Sequence, residues 1–294
     1  MHEQGPTVSV IVSTYNWPRA LELCLAALAR QSRLPDEVIV ADDGSGQDTQ
    51  ELLHRVAANY PVRLVRVWQE HRGFRVGRAR NRAIAAARGD YVLLLDGDML
   101  AQRDFVADHL YAARRGCFTQ GARALAKPAL TSMMLQDGGI DVGPLTPGLA
   151  RRKNALRLPP AIAALLRRPR SRGRKAVMSC NQGYWRRDLL ATNGFDERMT
   201  GWGREDTELA LRCYHSGVHR LQLHHAALAV HLHHAPRGQG DGPNPNDGFL
   251  GETAQLRSTR CEVGIASHLA EFSTLPQDLR LRVFAPPQGI QECA

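Results

Sequence analysis

The sequence lacks the usual marks of secreted, disulfide-stapled and membrane-spanning proteins. Its six cysteines form no C-x-x-C pair and follow no zinc-finger spacing, so reduced thiols in a cytosolic protein are the simplest interpretation. No apolar run approaches the roughly 20 residues that a membrane span requires. The first residues, MHEQGPTVSVIVSTYN, do not read as a signal peptide. We therefore expect a cytoplasmic protein, free or peripheral at the inner face of a membrane.

The overall composition is that of a folded protein with a basic surface. The 294 residues are 43% apolar and 23% charged, which argues against a disordered chain. The formal net charge of +9 suits an anionic partner such as a nucleotide, a phospholipid surface or a nucleic acid. Nucleic acid is disfavoured because the most basic stretch, residues 149–177, contains no aromatic residue that would stack on bases.

Apolar runs alternate with helical patterns through the first hundred residues. Nearly unbroken β-branched and apolar runs predict four strands, over 8–16, 37–45, 62–68 and 91–98. Leu and Ala at helical spacing predict helices between them, over 19–31, 49–60 and 77–89. This order predicts an α/β fold with a mostly parallel central sheet flanked by helices.

The rest of the chain is less regular. Residues 104–116 and 204–217 read as helices, residues 127–148 as loop-rich, and residues 237–248 as a flexible loop. The last fifty residues give only weak helical and strand signals. The Arg- and Lys-rich stretch 149–177 has two open interpretations: a solvated or mobile insertion, or a surface element that meets anionic lipid or an anionic acceptor.

The fourth predicted strand runs directly into Asp96-Gly97-Asp98. Two carboxylates one residue apart can converge on one cation through a turn, and the glycine lets the backbone approach a ligand closely. Mg²⁺ and Mn²⁺ prefer oxygen ligands and often keep sites for substrate phosphates. The tripeptide fits a metal that holds a diphosphate, and it also fits a solvated turn.

Other polar residues stand where the first two strands end. Ser13 and Thr14 lie near the end of the first strand, and Asp42 and Asp43 near the end of the second. Ligands of parallel sheets bind beyond the carboxyl ends of the strands, so we expect these residues to share a crevice with the acids of the fourth strand. Acids at the second strand can accept hydrogen bonds from a base or from ribose hydroxyls. The guanidinium groups of residues 72–82 match phosphate geometry, although alternate residues of one helix cannot all face one ligand.

Two motifs in the second half of the chain carry further candidates. GWGRED places Glu205 and Asp206 at a helix start, where the helix dipole favours ionised carboxylates, and a fixed carboxylate can accept a proton. Trp202 suits a sugar-ring platform, with a core position as the alternative. In VHLHH, a strand would put His231 and His233 on one face, whereas a turn would bring His231 and His234 together. Neutral imidazoles there can complete a metal site begun by Asp98, or form a plain surface cluster.

The order of these motifs resembles an inverting family 2 glycosyltransferase with a GT-A fold. VSVIVSTYN, VADDGS, ARNRAI, GDYVLLLDGDM and NGFDERMTGWGREDTELALR occur in that order, and the last resembles the galactosyltransferase-type segment with W-G-x-E-D. The resemblance covers residues 7–235. It implies a single GT-A, Rossmann-like domain over 1–235, interrupted by the basic insertion and followed by an extension over 236–294. Its nucleotide-binding half spans about 7–100, and its acceptor half about 176–235.

The resemblance also implies a substrate class and residue roles. It implies a nucleotide-diphosphate-sugar donor, with a UDP-sugar favoured, a glycan or lipid-linked glycan acceptor, and Mn²⁺ or Mg²⁺. The residues expected to bind the nucleotide sugar are Ser13, Thr14, Asp42, Asp43, Arg80, Asp96 and Trp202. The expected metal ligands are Asp98, Asp96, His231 and His234, the histidines chosen because the related pattern often reads H-x-x-H.

In the implied mechanism, Asp206 removes the proton of the attacking hydroxyl, Glu205 holds an acceptor hydroxyl, and one displacement inverts the anomeric centre. The implied setting is bacterial surface polysaccharide or lipopolysaccharide synthesis. Two alternatives are a basic nucleic-acid-binding protein and a nucleotidyltransferase. A nucleotidyltransferase is expected to have a glycine-rich phosphate loop after the first strand, and STYNWPRA contains no such loop.

Overall fold

The first hundred residues form four strands with a helix after each of the first three, as the sequence predicts. A computed structural model describes residues 5–139, 141–165, 168–170, 177–235, 242–273 and 281–284. The elements are β1 (Val8–Thr14), α1 (Pro18–Ala29), β2 (Glu37–Asp42), α2 (Gln47–Ala57), β3 (Arg63–Trp68), α3 (Val76–Ala86) and β4 (Tyr91–Asp96). β1, β2 and β4 end two or three residues before their predicted ends, so Asp43 and Asp98 lie in the turns that follow.

The central sheet is parallel at its heart and mixed at its edges. β3, β2, β1 and β4 pair in that order, all parallel. β4 then pairs antiparallel with β10 (Asn181–Trp185), and the sheet continues through β6 (Cys117–Gln120), β11 (His219–Gln222) and β9 (Arg168–Arg170). At the other edge β13 (Leu281–Phe284) pairs antiparallel with β3. Because the chain order reverses beside β1, a crevice opens between the ends of β1 and β4.

A second, smaller sheet lies beside this crevice. Its strands, in order, are β5 (Met99–Ala101), β12 (Ala229–His231), β7 (Arg123–Ala126) and β8 (Leu149–Ala150). In the antiparallel pairing of β5 with β12, His231 lies opposite Met99, the residue directly after Asp98. This short sheet therefore places His231, from the carboxyl half of the chain, beside the turn that follows β4.

The remaining helices include several that the sequence analysis did not predict. They are α4 (Phe105–Ala112), α5 (Pro128–Asp137), α6 (Pro160–Leu165), α7 (Arg186–Thr192), α8 (Glu205–His215), α9 (Asp247–Leu256) and α10 (Leu269–Ser273), with 3₁₀ turns at Arg152–Ala155 and Ile265–His268. The expectation of a loop-rich segment over 127–148 is wrong for its first half. Pro128 starts α5 at a position where proline is favoured, and Gly138, with φ +82°, ends it in the left-handed conformation.

The core fills both faces of the central sheet. Val10 and Val12 of β1 pack on one face with α1 and α2, whereas Ile11 packs on the other face with α3. Burial on both faces explains why the strands read as unbroken apolar runs rather than as alternating ones. Ile265 belongs to the α3 side of the core, and Arg82 of α3 pairs with Glu271. The segment 265–273 is thus part of the body.

The described part of the basic stretch packs against the body through Arg157 and Ala163. Arg157 forms two hydrogen bonds with the buried Asp108 of α4, at 3.0 and 2.7 Å, and Ala163 of α6 is fully buried. Residues 166–167 and 171–176 lie outside the described residues, and so do residues 236–241, which include the start of the predicted flexible loop. Among the helices that the structure describes, none has the length and apolarity needed to cross a bilayer.

Candidate active site

A cleft of about 930 Å³ opens at the carboxyl ends of β1 and β4, and the second sheet and the start of α8 form its other walls. Every residue that the sequence analysis assigned to the donor, the metal or the acceptor lines this cleft, with the exception of Asp42. Lining it are Ser13, Thr14, Asp43, Arg80, Asp96, Asp98, Trp202, Glu205, Asp206, His231 and His234. Two stretches more than a hundred residues apart in sequence therefore form one site.

Asp42 is placed away from the cleft, which corrects its expected role beside the nucleotide. Its side chain is fully buried and pairs with Arg66, whose Nη2 lies 2.7 Å from Oδ2. The backbone N–H groups of Gly44 and Ser45 donate to its other carboxylate oxygen. Asp42 therefore shapes the turn after β2, and this turn presents Asp43 to the cleft.

Asp43 lies at one end of the cleft, next to a stacked pair of rings. Its carboxylate accepts hydrogen bonds from Gln69 Nε2 at 2.6 Å and from the backbone N–H of Arg75 at 2.8 Å. Burial raises the pKa of the Asp43 carboxyl. Tyr15 and His71 stack nearby, with ring centroids 4.3 Å apart and planes at 15°. Gly44, with φ +99°, permits this arrangement because a Cβ there would lie 2.5 Å from His71.

Sequence reasoning did not find Tyr15 or His71. The only available signal for Tyr15 was its place directly after the polar end of the first strand. His71 gave no signal, because its position beside Asp43 depends on the turn after β3. Both rings line the cleft and give it a flat aromatic wall, which suits a planar base.

Arg80 connects three parts of the site. Its Nε donates to Ser13 Oγ at 2.9 Å, and its Nη2 donates to Asp96 Oδ1 at 2.7 Å. Its Nη1 lies 3.6 Å from Asp206 Oδ1, and the residue is only 3% exposed. The neighbouring arginines of α3 face elsewhere: Arg78 contacts Gln69, and Arg82 pairs with Glu271. As predicted, alternate arginines of this helix do not share one ligand.

Asp98, His231 and His234 form the candidate metal group. The two histidine Nε2 atoms lie 3.6 and 3.4 Å from the Asp98 carboxylate, and one ligand atom of each residue lies within 4.8 Å of the others. β12 ends at His231 and the chain then turns, which brings His234 rather than His233 to this group. Burial, with the charge of Arg123, lowers the pKa of His231 to about 4, so the imidazole is in its neutral, ligating form near pH 7.

One carboxylate oxygen and two imidazole nitrogens form a donor set that a divalent transition-metal ion such as Mn²⁺ can occupy, so these residues fit the expected cofactor. Asp96 is not part of this group, because its carboxylate pairs with Arg80. Gly97 lets the turn between Asp96 and Asp98 approach the backbone of β1 closely. Its N–H donates to Ser13 O at 2.8 Å, and a Cβ there would lie 2.9 Å from that oxygen.

Asp206 and Glu205 stand in the first turn of α8. Asp206 Oδ2 accepts a hydrogen bond from the Ser179 N–H at 2.8 Å. Asp206 Oδ1 and Glu205 Oε2 have no hydrogen-bond partner among the described residues. Burial raises the pKa of Asp206, and burial together with the charge of Asp206 raises the pKa of Glu205 to about 7. The helix dipole favours ionised acids here, and desolvation opposes it at Glu205, whose carboxyl is therefore only partly ionised at neutral pH.

Trp202 stands at the mouth of the cleft and is not a core residue. It is 42% exposed. A second cavity of about 850 Å³ begins behind it and is lined by residues 203–207 and 242–245, with Asp247. The residues that line both cavities are Arg123, Met178, Trp202, Glu205 and Asp206. The carboxylate pair therefore stands where two binding spaces meet.

The β3-β2-β1-β4 sheet is parallel, and the cleft at its edge holds a carboxylate–imidazole group and a carboxylate pair. This arrangement defines a GT-A-like α/β protein. Comparison with known sequences then gives the family. The chain belongs to glycosyl transferase family 2, whose profile matches residues 9–172. A second profile, described as the N-terminal domain of galactosyltransferase, matches residues 162–235. The protein is a glycosyltransferase by family, which decides against a nucleotidyltransferase.

Curated relatives are similar over most of this chain. Validoxylamine A glucosyltransferase of Streptomyces hygroscopicus subsp. limoneus is 30% identical over 231 residues, which are 72% of this chain and 49% of that protein. Chondroitin synthase of Escherichia coli is 26% identical over 240 residues, which are 76% of this chain and 34% of that protein. This chain spans about half the length, or less, of these relatives.

Solved structures show the same fold at low identity. The mannosyltransferase PcManGT from Pyrobaculum calidifontis, in complex with GDP-Man and Mn²⁺, superposes with a TM-score of 0.54 and 20% identity, over 91% of this chain and 73% of that chain. S. aureus TarS 1–349, in complex with UDP-GlcNAc, gives a TM-score of 0.56 and 18% identity, over 90% of this chain and 71% of that chain.

Proposed function

We propose that this protein transfers a sugar from a nucleotide-diphosphate sugar to a hydroxyl of a glycan acceptor, with inversion at the anomeric carbon and with Mn²⁺ or Mg²⁺ bound. One observation carries the proposal: the metal group around Asp98 and the carboxylate of Asp206 face the same cleft, with Arg80 between Asp96 and Asp206. The solved neighbours that hold GDP-Man with Mn²⁺, or UDP-GlcNAc, support a donor of this class, and we favour UDP.

The donor half of the cleft is assigned to the nucleotide. Asp43 and the stacked Tyr15 and His71 would hold the base and ribose, since they offer a carboxylate edge and aromatic faces. Asp98, His231 and His234 would hold the metal ion, whose charge neutralises the diphosphate as it leaves.

Asp206 is assigned the role of general base. Its Oδ2 is fixed by the Ser179 N–H, which leaves Oδ1 to accept the proton of an acceptor hydroxyl. The oxygen of the acceptor hydroxyl attacks the anomeric carbon. The bond from this carbon to the diphosphate oxygen breaks on the opposite face, so the configuration inverts. The raised pKa makes Asp206 a stronger base than an ordinary carboxylate. Glu205 beside it can hold a second hydroxyl of the acceptor.

The setting we propose is bacterial surface polysaccharide or lipopolysaccharide synthesis in the cytoplasm. The relative named chondroitin synthase supports a glycan acceptor, which we take to be free or lipid-linked. The basic stretch supports a peripheral membrane contact: Ile162 and Leu165 of α6 are 49% and 85% exposed, and Arg151, Arg152 and Lys153, earlier in the same stretch, are exposed as well. Cosedimentation with anionic vesicles, but not with neutral ones, is the expected result.

The function is tested by incubating the protein with a panel of UDP-, GDP- and dTDP-sugars, with and without Mn²⁺. We expect metal-dependent release of the nucleoside diphosphate from one donor, slowly in water and faster with an acceptor glycan. Absence of turnover of every donor in the presence of Mn²⁺ would contradict the proposal.

A further inference from the structure

Arg123 stands on the wall between the two cavities, and the sequence analysis gave it no role. It is the first residue of β7, in the second sheet. It lines both the donor cleft and the second cavity, as Asp206 and Glu205 do. A cation at this junction lies close to the place where an acceptor hydroxyl would meet the donor.

The guanidinium of Arg123 is poorly satisfied by the protein. Its Nε is shielded from solvent and has no hydrogen-bond partner among the described residues. Its Nη1 donates to the Cys180 thiol, with 3.3 Å between N and Sγ. Burial raises the pKa of Cys180 to about 12, so this sulfur is a neutral thiol and only a weak acceptor.

Other arginines around the cavities are paired with carboxylates. Arg80 lies 2.7 Å from Asp96, and Arg204, which lines the second cavity, lies 2.5 Å from Asp247. Within the described part of the chain, no carboxylate lies within 4.0 Å of Arg123 as an ion-pair partner. A shielded guanidinium nitrogen without an acceptor is unfavourable, so the half-buried Arg123 is suited to an anion that a ligand brings.

The acids of the second cavity limit where such an anion can lie. Glu205 Oε2 and Asp206 Oδ1 are placed to accept hydrogen bonds from hydroxyl groups, and the negative charge of Asp206 repels a carboxylate or a phosphate. The guanidinium fork of Arg123 matches the two oxygens of such a group. The donor diphosphate has the Asp98 group, whose three residues line only the donor cleft, whereas Arg123 also lines the second cavity, where an acceptor can lie.

We propose that Arg123 binds a carboxylate or phosphate group of the acceptor, so that the acceptor is an anionic sugar, a uronate or a sugar phosphate. With the anion on Arg123, a free hydroxyl of the same sugar residue or of its neighbour reaches Asp206. This inference rests on the proposed function, because it names the substrate class of that site. It makes Arg123 a specificity-determining residue rather than a catalytic one.

The test is calorimetric titration of the protein, saturated with UDP and Mn²⁺, with matched pairs of sugars. The pairs are methyl glucuronide against methyl glucoside, and glucose 6-phosphate against glucose. In the wild type we expect one anionic member to bind about tenfold or more tightly than its neutral partner, as one charge-assisted contact provides. In Arg123→Gln this preference should disappear, and in Arg123→Lys part of it should remain.

Two controls separate this effect from unfolding and from donor binding. Arg88→Gln removes the same charge from an exposed arginine at the opposite end of β4 and should leave the preference intact. The UDP affinity measured with Mn²⁺ should be the same in Arg123→Gln as in the wild type. If Arg123→Gln does not fold, the wild type and Arg123→Lys still measure the preference.

Equal affinities for charged and neutral sugars in the wild type would overturn the inference. So would a loss of UDP affinity in Arg123→Gln with the sugar preference unchanged, which would assign Arg123 to the donor. Failure of the proposed function has a different signature, since no donor would then be hydrolysed with Mn²⁺. Donor hydrolysis without any preference for anionic sugars contradicts only the role of Arg123.

Discussion

Asp98 and Asp206 line one cleft, but the account gives them separable tasks, donor binding for the first and proton removal for the second. Asp206→Asn keeps the size of the side chain and removes its basicity, so we expect transfer to fall by about 10² to 10⁴-fold while donor affinity is retained. Asp98→Ala removes a ligand of the candidate metal group, so both transfer and Mn²⁺-dependent donor binding should be lost. Steady-state rates and calorimetry with the donor and Mn²⁺ measure the two effects.

The thermal stability of each variant serves as the control for folding. Equal donor affinity in Asp98→Ala and Asp206→Asn would contradict this division of tasks.

Glu205 predicts a pH-dependent stability. Burial and the charge of Asp206 raise its pKa from 4.5 to about 7, against the lowering effect of Arg80. The folded protein thus holds this proton more tightly than the unfolded chain. The contribution of Glu205 to the free energy of unfolding therefore falls as pH rises from 4.5 to 7. Gln at this position is never charged, so Glu205→Gln should raise the Tm at pH 8 by about 2 to 6 °C and change it little at pH 4.5. Thermal melts in EDTA measure this, and equal shifts at both pH values would refute it.

At the residue scale, the sequence predicts side chains whose place follows from a strand end. Ser13, Thr14, Asp96 and Asp98 belong to this class, since parallel strands end at one edge of a sheet. Arg123 was missed because β7 is short and its neighbours come from distant segments. Asp42 was misplaced because Asp42 and Asp43 look alike in sequence, and only the turn decides which of the two faces the cleft.

At the scale of elements, α8 depends on a buried ion pair for its position. Arg212 and Glu208 are both fully buried, 2.6 Å apart, and Arg212 also donates to the carbonyl oxygens of Thr192 and Gly194. Arg212→Ala leaves a buried carboxylate unpaired, so we expect a loss of about 3 to 5 kcal/mol in the free energy of unfolding. Urea denaturation at pH 7 measures it.

The matched control for this prediction is Arg187→Ala in α7. Arg187 is 61% exposed and pairs with Asp188 at 3.3 Å, so its loss should change stability by less than about 0.5 kcal/mol. Similar losses in the two variants would show that the buried pair does not hold α8.

The elements themselves differ in how much of them the sequence predicts. β1 to β4 and α1 to α3 are long and strongly patterned, so pattern alone finds them. β5, β8 and β12 have two or three residues each, too few for a period to show, and they exist because of their pairing. α5 was hidden by the Gly and Pro residues around it, although Pro128 and Gly138 mark its two ends.

At the scale of the whole molecule, net charge and site charge are unrelated. Residues 149–177 contain ten Lys and Arg and no Asp or Glu, so the rest of the chain is nearly neutral. The cleft itself is lined by five carboxylates, those of Asp43, Asp96, Asp98, Glu205 and Asp206. The positive charge of the sequence therefore belongs to the basic stretch, and the cleft that we propose for the donor diphosphate is itself rich in carboxylates.

The central claim is that one cation, held by Asp98, His231 and His234, faces the base Asp206 across a shared cleft. A crystal structure with UDP and Mn²⁺, with the metal located by its anomalous scattering, tests it most directly. The account predicts one Mn²⁺ peak within bonding distance of these three side chains and of the diphosphate. UDP bound in the cleft with Mn²⁺ held elsewhere, or with these three side chains turned away from it, would contradict the account.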